Sequence, residues 1–272
     1  MSIFLDYSSE YYAGLCNQLY LITNHINDAE ILKKNIYIKY FISDIFSKSI
    51  VNFDEVVNIP ATNKNFEKLG LFTKILEECP EDCVSAKKLC IYPVTNVKIL
   101  KSLVFSDSFV DYNDKLKGEY YSIHFRLDMD CVISKLFGNE SLLLLLNNKL
   151  LISNDMDVMI DRYSELLLIE YLKYVNIIGF DKKYYICTPI GKWPVHSRFE
   201  KYLLRIVKFI EKNGGTVIIP EKYYPQRELN ALVELLIITK SQRFIGFYGS
   251  TFSEGYAYIV SGNENSFFVN GE

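Results

Sequence analysis

Arg126 stands in the run Ser122-Ile123-His124-Phe125-Arg126-Leu127-Asp128. Alternate side chains of a strand share a face, so His124, Arg126 and Asp128 project together if the strand continues through them. A guanidinium is a planar, permanently charged fork that suits a phosphate. It can also balance negative charge that grows on a diphosphate leaving group. A surface ion pair of Arg126 with Asp128 or Asp130 would use the same residues without a ligand. Two more loops carry chemistry. In Ala13-Gly14-Leu15-Cys16-Asn17-Gln18-Leu19, Gly14 permits a tight turn, the helix amides that follow can face an anion, and Asn17 adds a side-chain amide. A plain strand-to-helix turn would read the same way. In Arg243 to Glu254, a strand runs into Gly249-Ser250-Thr251-Phe252, whose hydroxyls and free amides make a second anion site. Thr251 and Glu254 also have capping-box spacing, which explains Thr251 structurally.

Two D-x-D pairs, Asp128-Met129-Asp130 and Asp155-Met156-Asp157, have the form that holds a divalent metal in GT-A glycosyltransferases. The first overlaps the His-x-Arg run, which already supplies a cation for phosphate, so no metal is expected. Cys79, Cys83 and Cys90 lack a fourth ligand for zinc and read as reduced thiols.

The elements that must position these loops alternate between strand and helix. Residues 3–7 form a strand, and a helix follows from Asn17 to about Lys34 with Leu19, Ile22, Ile26 and Ile31 on one face. Residues 36–41 form a second strand, and residues 44–115 read as irregular. Strands follow over residues 120–125, 183–188, 216–219 and 243–247. Helices lie between them over residues 157–178, 198–212 and 228–239, and Thr251 opens a last one. Tyr163, Leu166, Leu167, Tyr171 and Val175 share a face of the long helix. This order describes doubly wound parallel sheets. The expected architecture is α/β, with two Rossmann-like domains over residues 1–115 and 116–272 facing a cleft.

The net charge of −3 argues against nucleic-acid binding. No apolar run approaches the ~20 residues of a membrane span, and the N-terminus lacks the pattern of a signal peptide. A cytoplasmic protein is expected.

In order and spacing the three loops resemble the fucosyltransferase superfamily of protein O-fucosyltransferases and α1,2- and α1,6-fucosyltransferases. AGLCNQLY resembles the family's G-G-x-x-N-Q motif, and SIHFRLDMD its I-H-x-R-x-x-D motif. Asn230 to Glu254 resembles its closing helix–strand–S-[ST]-F segment. The resemblance implies a GT-B fold and an inverting, metal-independent transfer of fucose from GDP-fucose to a hydroxyl of a glycan or protein. It implies catalytic roles for Asn17 and Arg126. For a general base that deprotonates the acceptor, Asp128 is the first candidate and His124 the second. It implies donor contacts at Gly14, Leu15, Cys16, Asn17, His124, Arg126, Thr188, Ser250, Thr251 and Phe252. Ala13 stands where a glycine is usual, and Pro189 where many members carry the Asp that reads guanine. Trp193 and Tyr248 could line a base or sugar site. Another nucleotide sugar, a metal-dependent GT-A enzyme and a non-catalytic nucleotide- or glycan-binding module are the alternatives.

Overall fold

The computed structural model describes residues 2–5, 14–44, 47–85, 96–109, 118–146, 153–189, 194–220, 224–248, 250, 252–253 and 266–270. Within these, residues 85, 130, 139–140, 142–146 and 194–196 are described by backbone alone. The chain divides into two compact units, Met1–Lys117 with Tyr223–Leu236, and Gly118–Lys222 with Ile237–Glu272.

The first unit opens with β1 (Ile3–Leu5), α1 (Leu15–Ile31) and β2 (Ile36–Ile38). β3 (Tyr40–Asp44) and β4 (Ser49–Asn52) then pair antiparallel. Residues 36–41 are thus two strands rather than one. The break is Lys39, whose amide bonds to the Leu5 carbonyl while its own carbonyl takes the Phe53 amide. Residues 44–115 are also less irregular than their prolines suggest. They hold α2 (Phe53–Val56), α3 (Ile59–Lys68), β5 (Ile75–Leu76), β6 (Val84–Ser85) and α4 (Val97–Ser102). Pro60 falls in the first turn of α3, where its missing N–H costs nothing. The parallel sheet has the order β5-β2-β1-β6. Leu19, Ile22 and Ile26 of α1 are buried as the spacing predicts. Ile31, in the last turn, is exposed instead.

The second unit begins with β7 (Tyr120–His124), buried along its whole length. α5 (Met129–Leu146) follows, broken at Gly138, whose φ of +82° favours glycine. α6 (Asn154–Ile178) starts on a Ser153 cap, one turn before the hydrophobic pattern begins. Ile160, Ser164, Leu167, Leu168, Tyr171, Val175 and Ile178 form its buried face, and Leu166 points to solvent. β8 (Lys183–Cys187), α7 (Glu200–Lys212), β9 (Thr216–Ile218), α8 (Arg227–Thr239), β10 (Arg243–Phe247) and β11 (Ser266–Val269) complete the chain. The boundary after Leu236 falls within α8.

All five strands of the second sheet run parallel in the order β11-β10-β7-β8-β9. From β7 the chain builds outward through β8 and β9, then crosses back to place β10 on the other side of β7. That reversal is a topological switch point, and ligands of open α/β sheets bind outside the carboxyl ends of the strands there. The first sheet reverses in the same way, with β6 added on the far side of β1 after β2 and β5. Among the described residues no helix is long and apolar enough to cross a membrane.

Candidate functional site

The carboxyl ends of β10, β7 and β8 bring together most of the second-unit residues singled out in the sequence. His124 ends β7 opposite Cys187 of β8, so Thr188 leaves the sheet beside it. Ser250 and Phe252 follow β10. Thr251, with Gly249 and Glu254, lies outside the described residues, as does Trp193.

Arg126 Nε stands 3.0 Å from Asp128 Oδ2, with the arginine side chain 27% exposed and the aspartate only 1%. A buried carboxylate therefore fixes a cation that still reaches solvent. The other oxygen, Asp128 Oδ1, accepts the Cys131 amide at 2.9 Å, and the Asp128 carbonyl accepts the Val132 amide at 3.0 Å. Asp128 is thus the N-cap of α5, a place where a carboxylate is favoured by the orphan amides and the helix dipole. Both oxygens are thus engaged, one by a cation and one by a helix amide. In the other D-x-D pair, Asp157 Oδ1 meets Arg198 at 2.8 Å. Among the described residues no group of three or more His, Cys, Asp or Glu could hold a metal ion.

His124 is 4% exposed. Its Nδ1 pairs with Ser253 Oγ at 2.5 Å, and its ring lies 4.4 Å from that of Phe252, centroid to centroid. Gly246 makes this approach possible. A Cβ there would stand 2.9 Å from Ser253 Cβ and 2.7 Å from the Phe244 ring, closer than side chains pack. Ser253 and Phe252 thus reach β7 because β10 carries a glycine where they cross.

The backbone between His124 and Arg126 is held from α6. The Tyr171 hydroxyl donates to the His124 carbonyl at 2.8 Å and accepts the Arg126 amide at 3.1 Å. In the sequence Tyr171 reads only as one residue of an apolar stripe. Its hydroxyl is a polar atom on an apolar stripe, but Tyr163 carries the same signal, so the pattern could not single Tyr171 out.

In the first unit, Gly14 is the N-cap of α1 in an extended conformation and makes no side-chain cap. The Leu15 amide, read in the sequence as open to an anion, is taken by Glu228 Oε2 at 2.6 Å. Glu228 is buried, and its Oε1 lies 3.5 Å from Arg227. A carboxylate from 213 residues away thus supplies the negative charge that this helix start favours. The Leu15 and Cys16 side chains are buried, while Asn17 is half-buried. Gln18, the other half of the Asn-Gln pair, is structural. Its side-chain amide donates to the Ile42 carbonyl at 3.0 Å and accepts the Ile42 amide at 2.9 Å, completing the edge of β3. Asp44, at the end of that strand, accepts the Arg227 amide at 3.1 Å and so caps α8. None of these residues lines the open depression of the first unit, where Asp54, Glu77 and Asp107 gather. Three carboxylates there would repel a diphosphate.

The described cysteines, Cys16, Cys79, Cys83, Cys131 and Cys187, are free. The Cys83 thiol is pushed up to about 11, first by burial and then by a hydrogen bond with Cys79, so it is not a reactive thiolate. Cys90 lies outside the described residues.

No family model and no curated protein sequence matches the chain. Solved structures do. A crystal structure of POFUT1 in complex with GDP-fucose superposes with a TM-score of 0.64 at 11% identity, covering 98% of this chain and 96% of that one. POFUT1 in complex with GDP gives 0.61 at 12% identity, covering 98% and 97%. The likeness runs the length of both chains, and it establishes an α/β fold of the GT-B type, as the sequence resemblance implied.

Proposed function

We propose that this protein is a glycosyltransferase that takes fucose from GDP-fucose and passes it, with inversion and without a metal, to a hydroxyl of a glycan or protein. The observation that carries the reading is the partly exposed Arg126, which follows β7 at the switch point of the second sheet and is held by buried Asp128, with Thr188 following β8 and Ser250 and Phe252 following β10. The shared fold with POFUT1, a protein solved with GDP-fucose bound, supports this donor. In the proposed reaction the oxygen of the acceptor hydroxyl attacks C1 of the sugar and its proton passes to solvent water. The C1–O bond to the diphosphate breaks with its electron pair, and Arg126 balances the charge that builds on the departing GDP. The Ser250–Thr251 turn adds hydroxyls and amides to the same diphosphate.

Asp128 is assigned to holding Arg126 rather than to proton transfer, because its oxygens already serve Arg126 and the start of α5. Asn17 is proposed as a second polar contact to the reacting sugar. Leu15 is left with its amide satisfied by Glu228, so a neutral group suits the Gly14 loop better than a phosphate. His124 is proposed to face the nucleotide with its ring fixed by Ser253 and Phe252.

A second reading keeps the fold and changes the base of the donor. Pro189, half-buried after Thr188, offers no side-chain acceptor to the N–H groups of guanine. Titration with GDP, UDP and dTDP separates the two. A preference for UDP or dTDP would discard GDP-fucose as the donor, and a preference for GDP would discard the second reading.

A further inference from the structure

Arg126 can hold a phosphate only if the chain leaves β7 in the right direction, and one buried side chain fixes that direction. Tyr171 lies in the middle of α6 with no exposed surface. Its hydroxyl spends its donor on the carbonyl of the last residue of β7 and an acceptor site on the amide two residues later. The residue between them, Phe125, packs its ring 5.0 Å from the Tyr171 ring. The Phe125 amide bonds to the Cys187 carbonyl at 2.9 Å. Burial holds the Tyr171 phenol far above its ordinary range, so the O–H remains a donor at any working pH.

We propose that the Tyr171 hydroxyl is the positioning group for Arg126, setting the turn from which the guanidinium reaches the carboxyl edge of the second sheet. This rests on the reading of Arg126 as the donor-phosphate residue. Tyr171→Phe keeps the ring and its contact with Phe125 and removes only the hydroxyl.

The test is amide hydrogen exchange at Arg126 in ligand-free protein, followed by titration of wild type and Tyr171→Phe with GDP and with inorganic pyrophosphate. The Arg126 amide should be protected in wild type and exchange about tenfold faster in the variant, the change expected for one hydrogen bond. Amides of β9 and α7 should keep their rates, which a loss of general packing would not allow. Both ligands should bind the variant about tenfold more weakly. Unchanged exchange at Arg126 overturns the proposal, and so does faster exchange with unaltered affinities. Faster exchange in a protein whose wild type binds neither ligand keeps the positioning role and removes the donor reading. Should the variant not fold, wild type alone decides, because an Arg126 amide that exchanges like an open loop contradicts the hydrogen bond to Tyr171.

Discussion

Asp128 grips Arg126 with one oxygen and begins a helix with the other: Oδ2 lies 3.0 Å from Arg126 Nε, and Oδ1 2.9 Å from the Cys131 amide. The rigid start of α5 thereby orients a cation that is itself still open to solvent. Asp128→Asn keeps an acceptor for the Cys131 amide and loses the charge pair. Turnover should fall by about 10- to 100-fold, as for a lost positioning contact. GDP affinity should change little, since removing a carboxylate near the diphosphate offsets the looser arginine. A loss well beyond about 100-fold, with the acidic limb of the pH–rate profile abolished, would restore Asp128 as the general base.

Gly246 should be intolerant of even a methyl group. In Gly246→Ala the new Cβ meets the Phe244 ring and Ser253 Cβ inside 3 Å, so strand or turn must shift. Urea unfolding should show a loss of about 1–3 kcal/mol, the usual cost of overpacking. GDP binding should weaken as well, because Ser253 then loses its place against His124.

Gln18→Ala should weaken the protein without touching the chemistry directly. It leaves both the amide and the carbonyl of Ile42 without their partner in a buried place. The expected loss is about 2–4 kcal/mol in chemical denaturation. A variant of unchanged stability would show that the Asn-Gln pair is not divided into a structural and a functional half.

How far the sequence reaches is clear from such residues. Most of the strand and helix order in the second unit was legible because period-two and period-3.6 patterns are bounded there by glycine and proline, as at Gly214 and Pro189, but α5 and β11 were not read. The stretch of residues 44–115 was not, because its strands β5 and β6 have two residues each, too few for any pattern. The residues at the carboxyl ends of β7, β8 and β10 were legible as types. What holds them was hidden. Glu228, Tyr171 and Ser253 act across 213, 45 and 129 residues of chain. Spacing reports only on neighbours along a helix or strand, so no pattern could pair them.

Acid should destabilise the protein through His25. Burial lowers this imidazole from 6.5 to about 4. Above pH 6.5 it is neutral in folded and unfolded chains alike and contributes no pH dependence. As pH falls from 6.5 to 4 the unfolded chain takes up a proton that the folded one refuses, so stability drops. Below 4 both bind it and the loss levels off. The full difference is roughly 3 kcal/mol. Denaturation midpoints taken across this range should fall less steeply in His25→Gln, and an equally steep fall in the variant would assign the effect to other groups.

The central claim is that Arg126 receives the diphosphate of a GDP-sugar, and calorimetry of GDP binding in EDTA, on wild type and Arg126→Ala, tests it most directly. Wild type should bind without metal, and the variant should lose at least about 2 kcal/mol of affinity, the scale of a charge-assisted contact. Equal binding by both proteins, or binding by wild type only when manganese is added, would contradict it.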